Sequence, residues 1–228
     1  MIEYQRIILA DPVRNEAFAR ALTHVMRPGM TLTDIGSGTG FLSFLASKLG
    51  AKECRLYEQS EFLGLSRELA AENGITNLRF THEHSTEVRD PPKSDIVIAE
   101  VFGNFVLEEG IVETMNDARR FLKPKGIFIP QSLTQFVAPV TSNRLWKEVT
   151  IWDRIGHDLS YGAARELSVN NVYVRTVRPE ELWQGRDAVR AWDQLDFHAT
   201  EHPVRHAEVV WPIDHAVTIY GFCVWWEA

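Results

Sequence analysis

Apolar positions between Pro12 and Arg27 fall at helical spacing. Ala17, Phe18, Ala21, Leu22 and Val25 share one face, and Asp11 ahead of Pro12 suits a helix start. Further on, short apolar runs alternate with helix-period segments. MTLTDIG, ECRLYE, NLRFTHE, DIVIAE and GIFIP read as strands. TGFLSFLASKLG, EFLGLSRELAAENG and the stretch from about Val106 to Leu122 read as helices, the first two closed by Gly50 and by Asn73 and Gly74. This alternation predicts an α/β fold, with a Rossmann-like doubly wound, mostly parallel sheet over residues 1–140. Beyond Val140 the chain is rich in tryptophan, and the runs VNNVYVRTV and HAVTIYGFCVWW alternate as antiparallel strands do. They predict a smaller β-rich lobe, a partial barrel, over residues 141–228. Between them VRPEELWQGRDAVRAWDQ is polar and reads as a helical or loop excursion.

Composition narrows the setting. With 228 residues, 45% hydrophobic and 24% charged, the chain can bury a full core and is not disordered. No targeting segment and no run near the ~18 apolar residues of a bilayer span is visible, so a cytoplasmic protein without a membrane partner is expected. The two cysteines, Cys54 and Cys223, sit in strand-like segments and read as core. A net charge of −7 disfavours nucleic acid and suits a cationic substrate. Eight histidines fall without ligand spacing, so no metal is expected.

The first strand runs straight into a glycine turn, D-I-G-S-G-T-G. Gly36, Gly38 and Gly40 permit a tight turn, room for a ligand and close helix packing, and Asp34 ends the strand facing the turn. Glu58 ends the second strand, 22 residues after Gly36, where a carboxylate can accept both hydroxyls of a ribose. Spacing by itself does not separate a methyl donor from a dinucleotide. Asp34 favours the former, because it would repel a pyrophosphate and suits a sulfonium and an α-amino group. S-adenosyl-L-methionine is therefore the expected cofactor, with turn glycines and a solvated Glu58 as the bland alternative.

Two further carboxylates bear on chemistry. Glu100 ends the fourth strand, at the edge where such sheets bind ligands, and Glu109 follows nine residues later past a turn at Gly103 and Asn104. A guanidinium is permanently charged and delocalised, hence a poor nucleophile. Paired glutamates can fix its plane and draw charge from one terminal nitrogen, which then attacks the methyl carbon in line with the leaving sulfur. The competing reading is that Glu108 or Glu109 is an ordinary carboxylate at a helix N-terminus.

In combination these motifs make the chain similar to the protein arginine methyltransferases. The resemblance runs from about Ile8 to the C-terminus. ILADPVRNEAF resembles that family's segment before the sheet, which implies that Arg14 binds the cofactor's carboxylate. TLTDIGSGTG and LYEQSE resemble its glycine and ribose motifs. AEVFGNFVLEE resembles its two-glutamate hairpin, which implies that Glu100 and Glu109 grip the acceptor. HEHSTEV aligns loosely with its third-strand loop, implying an adenine contact from Ser85, Thr86 or Glu87, with Glu87 taken as the candidate. IWDRIGHDLS resembles the start of an arm, here near 152–180, through which family members form homodimers.

The departures concern the acceptor. Val101, Phe102 and Asn104 stand where that family has tryptophan, methionine and tyrosine, and Gln5, Ile8 and Ile111 replace other residues near the reacting groups. No threonine-histidine-tryptophan loop occurs up to Ala228, and the N-terminal helical lid is expected to be reduced to Tyr4. The expected activity is methyl transfer to an arginine guanidinium, in an arginine-containing protein or a free guanidino compound. Transfer to another amine, such as a ribosomal protein lysine or a small molecule, and a weakly active cofactor-binding scaffold are the alternatives.

Overall fold

The computed structural model describes residues 2–107 and 110–228. The chain divides into two compact units: Met1–Leu133 with Leu195–Val204 and Ala228, and Thr134–Gln194 with Arg205–Glu227. The division thus falls at Leu133, short of Val140, and residues 195–204, with Ala228, return to the first unit.

In the first unit, helices α1 (Ile2–Leu9) and α2 (Pro12–Val25) precede the sheet. Asp11 caps α2 by accepting from the backbone N–H groups of Val13 and Arg14, at 2.9 and 3.2 Å, and Pro12 lacks the N–H that would have gone unpaired there. Strand β1 (Thr31–Ile35), α3 (Phe41–Lys48), β2 (Glu53–Tyr57), α4 (Phe62–Glu72), β3 (Leu78–Thr81), β4 (Ser94–Ala99), α5 (Ile111–Ala118) and β5 (Leu122–Ile129) follow. The strands pair in parallel in the order β3-β2-β1-β4-β5. Ile96, Val97, Ile98 and Ala99 of β4 are fully buried, because helices cover both faces of a parallel sheet. On one face, Leu22, Met26, Leu42 and Ala46 pack on Leu32, Leu56 and Ile98. The chain reverses direction across the sheet between β1 and β4, which opens a crevice at the strands' carboxyl ends.

Register aligns that edge. Ile35 lies opposite both Tyr57 and Ala99, so Gly36, Glu58 and Glu100 begin three loops at one level. The segment that returns to this unit is held by Phe197, 2% exposed and stacked on Phe102 at 5.8 Å, and by reciprocal bonds between Asn116 and Glu201.

The second unit contains a sheet in which β6 (Ser132–Val140) lies between β7 (Arg190–Asp196) and β8 (Gly221–Glu227). Strand β8 is antiparallel to β6, with Val137 opposite Val224. Helices α6 (Asn143–Val149) and α7 (Gly162–Val169) also belong here. Two expectations fail in this unit. VNNVYVRTV forms no strand, and Val172 and Val174 are 84% and 63% exposed. Alternation makes a strand only where a neighbour supplies a ladder and a surface to cover. Conversely, the end of the polar excursion forms β7, and only the second half of HAVTIYGFCVWW is strand.

Candidate active site

The carboxyl edge of the first unit's sheet encloses a cleft of about 690 Å³. Its floor is the glycine turn. Gly36, Gly38 and Gly40 all have positive φ, which lets the turn coil under the cleft. A side chain at Gly36 would meet Val101 Cγ1 at 2.4 Å, so the hairpin after β4 closes directly over this residue. Gly36 and Gly38 line the cleft; Gly40 does not, and instead starts α3, tight against Ser66 and Phe44.

Glu58 is held from two sides. Its Oε2 accepts from Gly38 N–H and its Oε1 from Ser60 N–H, both at 2.8 Å. A carboxylate has about four lone-pair sites, so each oxygen keeps capacity for a sugar hydroxyl. Asp34 lies beneath, 1% exposed, accepting from Ser43 Oγ at 2.7 Å. Burial pushes its carboxyl up to about 7; the bond from Ser43 opposes this, and the charges of Glu58 and Glu100 add to it.

Arg14, in the first turn of α2, pairs through Nη2 with Glu100 Oε2, the two side chains being 19% and 18% exposed. The two expected roles thus meet: the residue expected to hold a carboxylate and the one expected to hold a guanidinium hold each other. Glu109 lies outside the described residues. Glu87 is exposed and does not line the cleft; Glu83, His84 and Ser85 of the same loop do. The expectation of a lost lid is corrected, because Ile2–Leu9 is helical and Tyr4, Gln5, Ile8 and Leu9 line the cleft. At eight residues it spans little more than two turns, too few for a helical period to stand out in the sequence. Ser37 was missed as well, being hidden among glycines.

Arg14 Nε, Ser37 Oγ and Ser85 Oγ are buried with no hydrogen-bond partner among the described residues, and all three residues line the cleft. Buried polar atoms left without partners are costly and mark a place for a polar ligand. A cation for a carboxylate, a hydroxyl at the turn and a hydroxyl at the far loop suit an amino-acid nucleoside, and S-adenosylmethionine fits this set. Among the described residues, no cluster of three or more His, Cys, Asp or Glu is placed to hold a metal, and no helix is long and apolar enough to cross a membrane.

Residues 26–182 match the family described as "Methyltransferase domain". The chain belongs to that family. S-adenosylmethionine is its cofactor. It is 26% identical over 230 residues to the probable protein arginine N-methyltransferase 6.1 of Oryza sativa subsp. indica, covering 96% of this chain and 60% of that protein. With protein arginine N-methyltransferase 6 of Xenopus tropicalis it shares 28% identity, covering 96% and 68%. The resemblance read from the motifs is borne out by these relatives. The chain spans about 60% of the length of the first such relatives. Among solved structures, it superposes on the Trypanosoma brucei PRMT1 enzyme–prozyme heterotetrameric complex with AdoHcy at a TM-score of 0.76 and 24% identity, covering 85% of this chain and 62% of that one. For Arabidopsis thaliana protein arginine methyltransferase 10 the values are 0.69, 20%, 87% and 63%. At these identities the superpositions speak to the fold.

Proposed function

We propose that this methyltransferase transfers a methyl group to a guanidinium nitrogen of arginine, in a protein side chain or a free guanidino compound. The observation that carries the reading is that Glu100, at the end of β4 on the wall of the cleft, already holds a guanidinium, that of Arg14. A carboxylate placed and partly desolvated for one guanidinium has capacity for a second.

The cofactor, when bound, supplies an electrophilic methyl on a sulfonium sulfur. Glu58 would hold the ribose, and Arg14, whose Nε has no partner among the described residues, would hold the amino-acid carboxylate. Glu100 fixes the plane of the acceptor and draws positive charge from the nitrogen that is to be alkylated. The nitrogen that gains the methyl group would shed its proton to a Glu100 oxygen, while the electron pair of the S–C bond would leave with the cofactor's sulfur. Glu109 is assigned the second grip from its place in the motif.

The reading extends to a homodimer. Ile151, Ile155, Leu159 and Leu167, along the arm-like segment, are 44%, 39%, 62% and 75% exposed, which supports burial against a second copy. A cytoplasmic setting is proposed too, and the unpaired Cys54 and Cys223 suit a reducing compartment. The test is incubation with methyl-labelled cofactor and free arginine, arginine-rich peptides, lysine-rich peptides and cell lysate, with mass spectrometry of the products. Label on arginine supports the proposal; label confined to lysine or another amine overturns it.

A further inference from the structure

The loop after β3 is a short 3₁₀ turn, Ser85–Glu87, closed by bonds from Glu87 N–H to His84 C=O at 3.0 Å and from Val88 N–H to Ser85 C=O at 3.3 Å, and capped by the His84 ring, whose Nδ1 lies 2.7 Å from Thr86 Oγ1. Among the described residues, one side chain ties its backbone to the body of the unit by hydrogen bonds. Arg120, just past α5, donates through Nη2 to the Ser85 carbonyl at 2.6 Å and through Nη1 to the Val88 carbonyl. Its Nε donates to Asp117 Oδ1 at 2.8 Å, and the guanidinium lies 4.9 Å from the centre of the Phe121 ring. Phe121 is fully buried and meets Tyr57, a cleft residue, edge-on at 5.1 Å. The rigid fork of an arginine used on three fronts makes a brace that lysine cannot copy.

Strand order says what the brace serves. A nucleoside with its ribose at Glu58, the end of β2, and its sulfonium toward β1 and β4 extends its base the other way, over the end of β3. There Ser85, 3% exposed, lines the cleft, and its buried hydroxyl has no partner among the described residues. We infer that Arg120 is a positioning residue for base recognition: by pinning the Ser85 backbone it holds the Ser85 hydroxyl against the polar edge of the cofactor's adenine. A hydroxyl both donates and accepts, so it can serve either the ring nitrogen or the amino group of that edge. The inference rests on the cofactor assignment and is independent of the acceptor.

A double-mutant cycle tests it, with S-adenosylhomocysteine binding to the 228-residue chain followed by calorimetry. R120M and S85A are each expected to weaken binding about five- to tenfold, the loss of one buried hydrogen bond. The double variant is expected to bind no more weakly than R120M alone, because without the brace the hydroxyl is no longer in place. R120K, which keeps the charge but not the fork, is expected to lose about threefold with Ser85 present and nothing in the S85A background. Losses that multiply in either background, or an R120M affinity equal to the unmodified chain's, overturn the inference. Failure of the unmodified chain to bind S-adenosylhomocysteine overturns the cofactor assignment together with it.

Discussion

Gly40→Ala and Gly29→Ala make the same chemical change at nearly the same backbone conformation, φ +86° and +89°. A left-handed conformation costs an L residue roughly 1–2 kcal/mol, which both variants bear. Their surroundings differ. At Gly29 the added Cβ meets nothing within 4 Å; at Gly40 it would lie 2.4 Å from Ser66 Oγ and 2.7 and 2.9 Å from Phe44 Cε1 and Cζ. Ser66 is fully buried on α4 and Phe44 is partly buried against the core cluster, so making room means shifting packed side chains. Overpacking of this kind adds about 1–3 kcal/mol. The expected losses are therefore about 1–2 kcal/mol for Gly29→Ala and about 2–5 kcal/mol for Gly40→Ala, the latter a large share of a typical total of roughly 5–15 kcal/mol. Urea unfolding followed by far-UV circular dichroism gives both values from shifts in midpoint at unchanged slope. Equal losses in the two variants would refute the reasoning, because the turn would then yield freely to a side chain at Gly40.

Three further outcomes are expected. Asp34 has a folded value near 7 against 3.8 ordinarily, so its contribution to stability is full below about 4 and is lost as pH rises to about 7. Asp34→Asn should flatten the pH dependence of the urea midpoint in that window by roughly 1.4 kcal/mol per pH unit, and parallel profiles for the two proteins would contradict the assignment. Glu100→Gln should reduce methyl transfer at least a hundredfold while S-adenosylhomocysteine affinity stays within a few fold, because Arg14 is released from its partner and remains available to the ligand; a matching collapse of affinity would make Glu100 a cofactor residue instead. Phe197→Ala, by removing the ring stacked on Phe102, should destabilise the first unit by about 3–5 kcal/mol, and a loss below 1 kcal/mol, read from the same dichroism curves, would mean that residues 195–204 are not part of its core.

The sequence determined what is written locally. Periodicity and turn chemistry around Asp11, Pro12, Gly50 and Gly74 mark the helices and strands of the first unit, and the glycine turn with Asp34 and Glu58 marks the cofactor. Each signal spans a few residues and depends on little beyond them. Tertiary structure decided what depends on distant neighbours: that VNNVYVRTV has no partner strand and stays irregular, that Ile2–Leu9 forms a wall of the cleft, and that residues 195–204 return to the first unit. It also decided which polar groups meet there. Arg14 and Glu100 are 86 residues apart, and Arg120 and Ser85 are 35 apart. No local pattern announces such pairs; they exist because the sheet's register brings strand ends to one edge, where a buried charge or hydroxyl must find its partner across the fold.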